Sequence, residues 1–133
     1  MKKLNKKIVV TASFLAAITI LLGAFGAHGL KQLVSTEAIT TFETGVRYQM
    51  YHCLALLVIG FVTVIPKKSL LWTFRFFLFG ILLFSGSIYL LALKDVLPFN
   101  VGWLGPITPI GGLFFIVGWI RLAIGLLTLK QDN

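Results

Sequence analysis

The sequence predicts an all-α integral membrane protein, a four-helix bundle with both termini on the cytoplasmic side, and three observations predict it. The composition is too apolar for a soluble domain, four runs of about 20 residues are almost free of charge, and the positive charge falls on one side of those runs. Of 133 residues, 58% are hydrophobic and 12% charged, with a mean hydropathy of +0.97. Counting the 13 glycines lifts the apolar share to roughly 68%, against about 45–50% for soluble domains on the same basis. A globule of this size has too little interior to hide that surface from water. Soluble enzyme, disordered chain and disulfide scaffold are all excluded, the last because Cys53 is the sole cysteine. One transmembrane domain, residues 1–133, accommodates the chain.

A hydrocarbon core ~30 Å thick needs about 20 apolar residues at 1.5 Å rise each. The first span, Ile8 to Ala27, carries no charge. Its length also argues against a cleaved signal peptide, whose apolar run is about 7–15 residues. Next comes a connection in which Ser35-Thr36-Glu37 and Thr40-Thr41-Phe42-Glu43 both resemble helix starts, the second at capping-box spacing. Glu43 and Arg47 stand four apart in the favourable order. A short helix on the outer surface between spans one and two follows from these signals. The second span, Val46 to Ile65, carries Arg47 and His52, and Pro66-Lys67-Lys68-Ser69 leaves room only for a tight hairpin. The third, Leu70 to Leu93, carries only Arg75. The stretch from Leu97 to Pro109 is apolar but full of helix breakers, with Thr108 as N-cap and Pro109 as first helical residue of the fourth span, Pro109 to Leu129.

Charge orients the spans. Lys2, Lys3, Lys6, Lys7, Lys67, Lys68, Arg75, Arg121 and Lys130 fall on one side with Asp132. Lys31, Arg47 and Lys94 balance Glu37, Glu43 and Asp95 on the other. The net charge of +8 therefore sits on one face, and short basic loops stay in the cytoplasm. The predicted location is the cytoplasmic (inner) cell membrane. Trp72 and Trp103 fall near span ends on opposite sides, as interfacial belts require. A pI near 10.0 thus reads as topogenic charge meeting membrane lipids, not as a nucleic-acid surface, since no basic patch carries interleaved aromatics.

Between lipid-embedded helices, association depends on small residues that let backbones approach. Gly23 and Ala27 form such a pair in the first span, and Gly86 offers a contact point in the third. Gly111, Gly118 and Gly125 recur every seven residues along the fourth. That last face predicts a homo-oligomer.

Placed by depth, His28, Arg47, Tyr48, Gln49, His52, Ser85, Ser87 and Thr108 all fall in the outer half, with His52 roughly 9–10 Å below Val46. An intramembrane ionisable residue is a functional candidate by default. His52 could handle a proton or a small ligand in an outer-leaflet pocket. The weightier reading is that His52 bonds Ser85, Ser87 or Tyr89 across the bundle and holds it together. A metal or haem role needs more ligands than His28 and His52 supply, and Cys53 lies about 100° round the helix from His52. No metal and no cofactor is expected. Nor does the chain hold a nucleophile-base-orienter set, a phosphate loop or paired carboxylates, so enzymatic chemistry is not expected. Arg47, Arg75 and Arg121 lie within snorkelling reach of an interface.

Four stretches, Gly23-Ala24-Phe25-Gly26-Ala27-His28-Gly29-Leu30, Tyr48-Gln49-Met50-Tyr51-His52, Phe84-Ser85-Gly86-Ser87-Ile88-Tyr89 and Gly105-Pro106-Ile107-Thr108-Pro109-Ile110-Gly111-Gly112, occur in that order. Together they resemble the YwdK/YgdD-like family of small bacterial membrane proteins, which has mitochondrial relatives. The resemblance covers the chain from about the first span to the end and implies a four-span inner-membrane protein without an assigned activity or cofactor. The sequence departs from that pattern at Cys53, where the family has a small residue such as glycine, so the resemblance implies no role for the thiol. The expected function is that of a structural or accessory component of the membrane, with a small-ligand or proton carrier around His52 as the alternative.

Overall fold

The computed structural model describes residues 4–131, and among them every regular element is helical. Lys2, Lys3 and Asp132, which entered the charge tally, lie outside the described residues. The elements are α1 (Lys6–Ala27), α2 (Thr36–Phe61), α3 (Lys67–Gly80), a π-helical turn (Ile81–Ser85), α4 (Gly86–Ala92) and α5 (Ile107–Leu127). Single 3-10 turns occur at Leu30–Gln32 and Gly102–Leu104. Three stretches, Lys6–Gln32, Lys67–Ala92 and Gly102–Leu127, are long and apolar enough to cross a membrane. Helix α2 has 26 residues but is not among them, because Glu37, Glu43, Arg47, Gln49 and His52 stand in its first two-thirds.

Helix α1 starts where the Asn5 side chain accepts the Ile8 N–H at 3.2 Å. The N-cap of α2 is Ser35, which accepts the Ala38 N–H at 3.2 Å. Thr40 instead sits inside that helix, its hydroxyl donating to the Thr36 carbonyl. The separate surface helix expected before span two is therefore absent. No breaker stands between Thr36 and Glu43, so the segment continues unbroken into α2, and the connection shrinks to one 3-10 turn whose Leu30 packs with Phe42 and Ala92. Helix α2 also ends at Phe61 rather than Ile65, and Val62 is already extended four residues ahead of Pro66. The last helix begins at Ile107 with Pro106 at its N-cap, not at Thr108. Pro109 is tolerated there because the first-turn N–H groups of a helix have no intrahelical partner.

Two antiparallel pairs build the molecule. In the first, Asn5 donates to the Gly60 carbonyl at 2.8 Å, Thr19 meets Cys53 and Gly26 lies under Phe42, which sets α1 along α2. In the second, Ser69 meets Arg121, Phe77 meets Gly118 and Phe84 meets Gly111, which sets α3 and the π turn along α5. Helix α2 joins the pairs by packing on the π turn and α4. The core running through both pairs includes Ile8, Leu56, Phe74, Phe77, Phe115 and Leu122.

The small residues act differently from expectation. Gly111, Gly118 and Gly125 are all buried against α3 and the π turn. A Cβ on Gly111 would overlap the Phe84 backbone, and one on Gly118 would stand 2.7 Å from the Phe77 ring. The seven-residue face is occupied within the chain and is not free for a second copy. Gly86 makes no close approach to another helix, while the tight approach on that stretch is at Gly80, under the Phe115 ring. In α1 Gly23 makes ordinary contact with Val46, and Ala27 is exposed.

This register collects Lys6, Lys7, Lys67 and Lys68 at one end of the molecule and the α2 start with Lys94 and Asp95 at the other. Around the middle the surface is greasy: Phe14, Val58 and Leu82 are 69%, 61% and 65% exposed. Apolar surface on that scale is stable only under lipid or a partner.

Candidate functional site

Helix α2 supplies most of the polar side chains, and its buried stripe of Gly45, Gln49, His52, Cys53 and Leu56 follows the 3.6-residue period. His52 is 4% exposed. Its ring stacks on Phe115 with centroids 3.7 Å apart and planes at 11°, and meets the Phe77 ring edge-on at 4.9 Å. Nε2 lies 3.1 Å from the Trp119 indole Nε1, and Nδ1 lies 2.6 Å from the Tyr48 carbonyl. An indole can only donate and a carbonyl can only accept. Nε2 is therefore the lone-pair nitrogen and Nδ1–H donates to Tyr48. The expected partners Ser85, Ser87 and Tyr89 do not reach this ring; all three are engaged elsewhere.

The Tyr89 hydroxyl donates to Gln49 Oε1 at 2.6 Å. Ser85, fully buried in the π turn, donates to the Gly45 carbonyl at 2.8 Å. That bond requires the helices to lie close, and a Cβ on Gly45 would stand 2.7 Å from the Tyr89 ring. Ser87 donates to the Phe84 carbonyl at 3.0 Å and so accepts from the Thr108 hydroxyl. Hence Gln49, His52, Ser85, Ser87 and Thr108 are brought together as a set of separate bonds that tie α2 to the π turn, α4 and α5, and α4 to α5. The remaining candidates stay outside it. His28 is exposed at the end of α1, and exposed Arg47 reaches only Thr44. The Tyr48 ring is 41% exposed beside Phe84, although its carbonyl serves His52.

Further bonds lie toward the other end. Arg121, expected to snorkel, is half-buried and donates to Ser69 at 2.8 Å. Thr73 donates to the Gly118 carbonyl at 3.5 Å, and Thr19 meets the Cys53 thiol at 3.8 Å. Among the described residues, no buried side-chain nitrogen or oxygen lacks a hydrogen-bond partner. No three of the described His, Cys, Asp and Glu residues are grouped so as to hold a metal ion.

Sequence reasoning passed over Trp119, although a signal existed. Unlike Trp72 and Trp103, it stands in the middle of the last apolar run, where an indole N–H needs an acceptor that lipid cannot supply. Ser69 and Thr73 gave no comparable signal, because short hydroxyl side chains can satisfy themselves on their own helix.

Residues 22–112 match a family described as protein of unknown function (DUF423). The chain is 41% identical over 120 residues to a UPF0382 membrane protein of Staphylococcus saprophyticus, covering 90% of this chain and 96% of that one. It is 44% identical over 105 residues to a UPF0382 membrane protein of Haemophilus influenzae, covering 78% and 80%. With the UPF0382 membrane protein YwdK of Bacillus subtilis it shares 36% identity over 121 residues, covering 90% and 94%. No solved structure matches the chain. The matched range takes in all eight candidate polar residues and stops short of Trp119.

Proposed function

We propose, from the premise that this chain belongs to the DUF423 family of membrane proteins, that it serves as a non-catalytic structural or accessory component of the cytoplasmic membrane. It crosses four times with both termini inside. Helix α2 is the fourth crossing: its 26 residues reach about 39 Å, and it runs antiparallel to α1 and to the α3–α4 stretch. Gln49 and His52 are buried against neighbouring helices, which is how a span tolerates such residues. The lysines gathered at one end support a cytoplasmic assignment for that end.

One observation carries the functional reading. The buried polar atoms are matched to one another, which is what a bundle held by interhelical bonds requires, whereas a ligand site presents groups waiting for a partner. The test is thermal unfolding of purified wild type and His52→Ala in detergent, each with and without a small-molecule extract of the host cell. His52→Ala is expected to lower the midpoint by the equivalent of about 2–5 kcal/mol, the usual range for emptying a large buried site. The extract is expected to change neither protein. A wild type stabilised by the extract, beside a variant that keeps its midpoint and loses that response, would replace this reading with a carrier or binder.

A further inference from the structure

The start of α3 presents a basic groove that the bundle does not use. Lys67, Lys68, Leu71, Trp72 and Arg75 line a cavity of about 360 Å³. At 100° per residue all five lie within roughly 140° of arc, opposite the buried Ser69, Thr73 and Phe77. Lys67, Lys68 and Arg75 are exposed. The Arg75 guanidinium lies 5.0 Å from the centre of the Trp72 ring, one turn nearer the helix start, so its charge is carried back toward the two lysines. Among the described residues no carboxylate opposes them. The chain has four acids: Glu37, Glu43 and Asp95 belong to the other end, and Asp132 lies outside the described residues. The first turn of α3 contains no acid, and Pro66 gives it no side-chain cap. Its N–H groups therefore add the positive end of the helix dipole to the three cations.

We infer that this groove is a binding site for the phosphate headgroup of an anionic phospholipid, with Lys67, Lys68 and Arg75 on the phosphate and Trp72 and Leu71 against the glycerol and upper acyl chain. Charge complementarity selects the headgroup. The indole at the edge of an apolar run selects a lipid, since a free anion has no use for an apolar wall. The inference needs only that the chain is a membrane protein and is independent of the structural role proposed above.

Native mass spectrometry tests it, on protein released from nanodiscs of equimolar phosphatidylglycerol and phosphatidylcholine. Wild type is expected to retain phosphatidylglycerol in preference. The triple variant Lys67→Gln, Lys68→Gln, Arg75→Gln is expected to lose that preference by about ten-fold or more, since each cation near an anionic surface contributes about five-fold. The charge-matched control Lys6→Gln, Lys7→Gln, Lys130→Gln is expected to keep it. So is the charge-preserving variant Lys67→Arg, Lys68→Arg, Arg75→Lys, which separates a lost site from a lost fold. Equal retention of the two lipids by wild type, or equal losses in both glutamine triples, would overturn the site. Displacement of the lipid by inorganic phosphate at millimolar concentration would overturn the lipid as its occupant.

Discussion

Trp119→Phe leaves the His52 ring stacked on Phe115 and removes the N–H that Nε2 accepts, together with part of the ring that packs on Phe77. The expected cost of the lost bond is about 0.6 kcal/mol, the average for interhelical hydrogen bonds in membranes, and at most about 1.7 kcal/mol, read as a lower unfolding midpoint in detergent. A double-mutant cycle with His52→Phe should return most of that as coupling. Tyr89→Phe should cost a similar amount by stranding Gln49 Oε1, and because it lies on a different bond its effect should add to that of Trp119→Phe. At this scale the sequence pointed to the right helix and the wrong partner. His52 stood out because an imidazole inside an apolar run is conspicuous. Its partner was legible only in kind, because a donor 67 residues away is chosen by how α2 and α5 are rotated, and no local pattern encodes rotation.

Along the elements, glycine spacing and glycine use diverge. Gly111 and Gly86 both read as packing marks, yet only at Gly111 would a Cβ overlap backbone; at Gly86 it would make ordinary contact with the Ile81 carbonyl at 3.9 Å. Gly111→Ala is expected to drive α5 off the π turn, with a sharp loss of folded protein after detergent extraction by size-exclusion chromatography. Gly86→Ala should be neutral or stabilising by up to about 1 kcal/mol, since alanine is the better helix former and its Cβ meets only ordinary contact. The seven-residue recurrence in α5 was visible in the sequence and did mark a face. Whether that face meets α3 of the same chain or another copy depends on which helix the connections deliver to it. The π turn gave no sequence signal. It lies where Ser85 reaches the Gly45 carbonyl and where Gly111 meets Phe84, and one extra residue per turn re-aims a helix at such a contact. The expected surface helix failed for a local reason, since a capping box is one of several ways to start a helix and Ser35 had already started it.

For the whole molecule, the proposed orientation predicts opposite reactivities for its two ends. With the native Cys53 buried beside Thr19, single cysteines can be read against it. In intact cells Lys94→Cys should react with an impermeant maleimide, and Lys68→Cys only after the membrane is permeabilised; the reverse pattern would invert the topology. A membrane protein of helical spans and its family membership were determined by the sequence alone, because hydropathy, charge and motif order are sums over neighbouring residues and need no knowledge of what packs where. Only the tertiary structure decided that His52 bonds Trp119, that the glycine face of α5 is covered by its own chain, and that Gln49, His52, Ser85, Ser87 and Thr108 pair off in separate bonds while His28 and Arg47 stay outside them. The physical reason is that a helix in hydrocarbon gains little from burying apolar surface. Its partner and rotation are set instead by a few close approaches and hydrogen bonds between residues far apart in the chain.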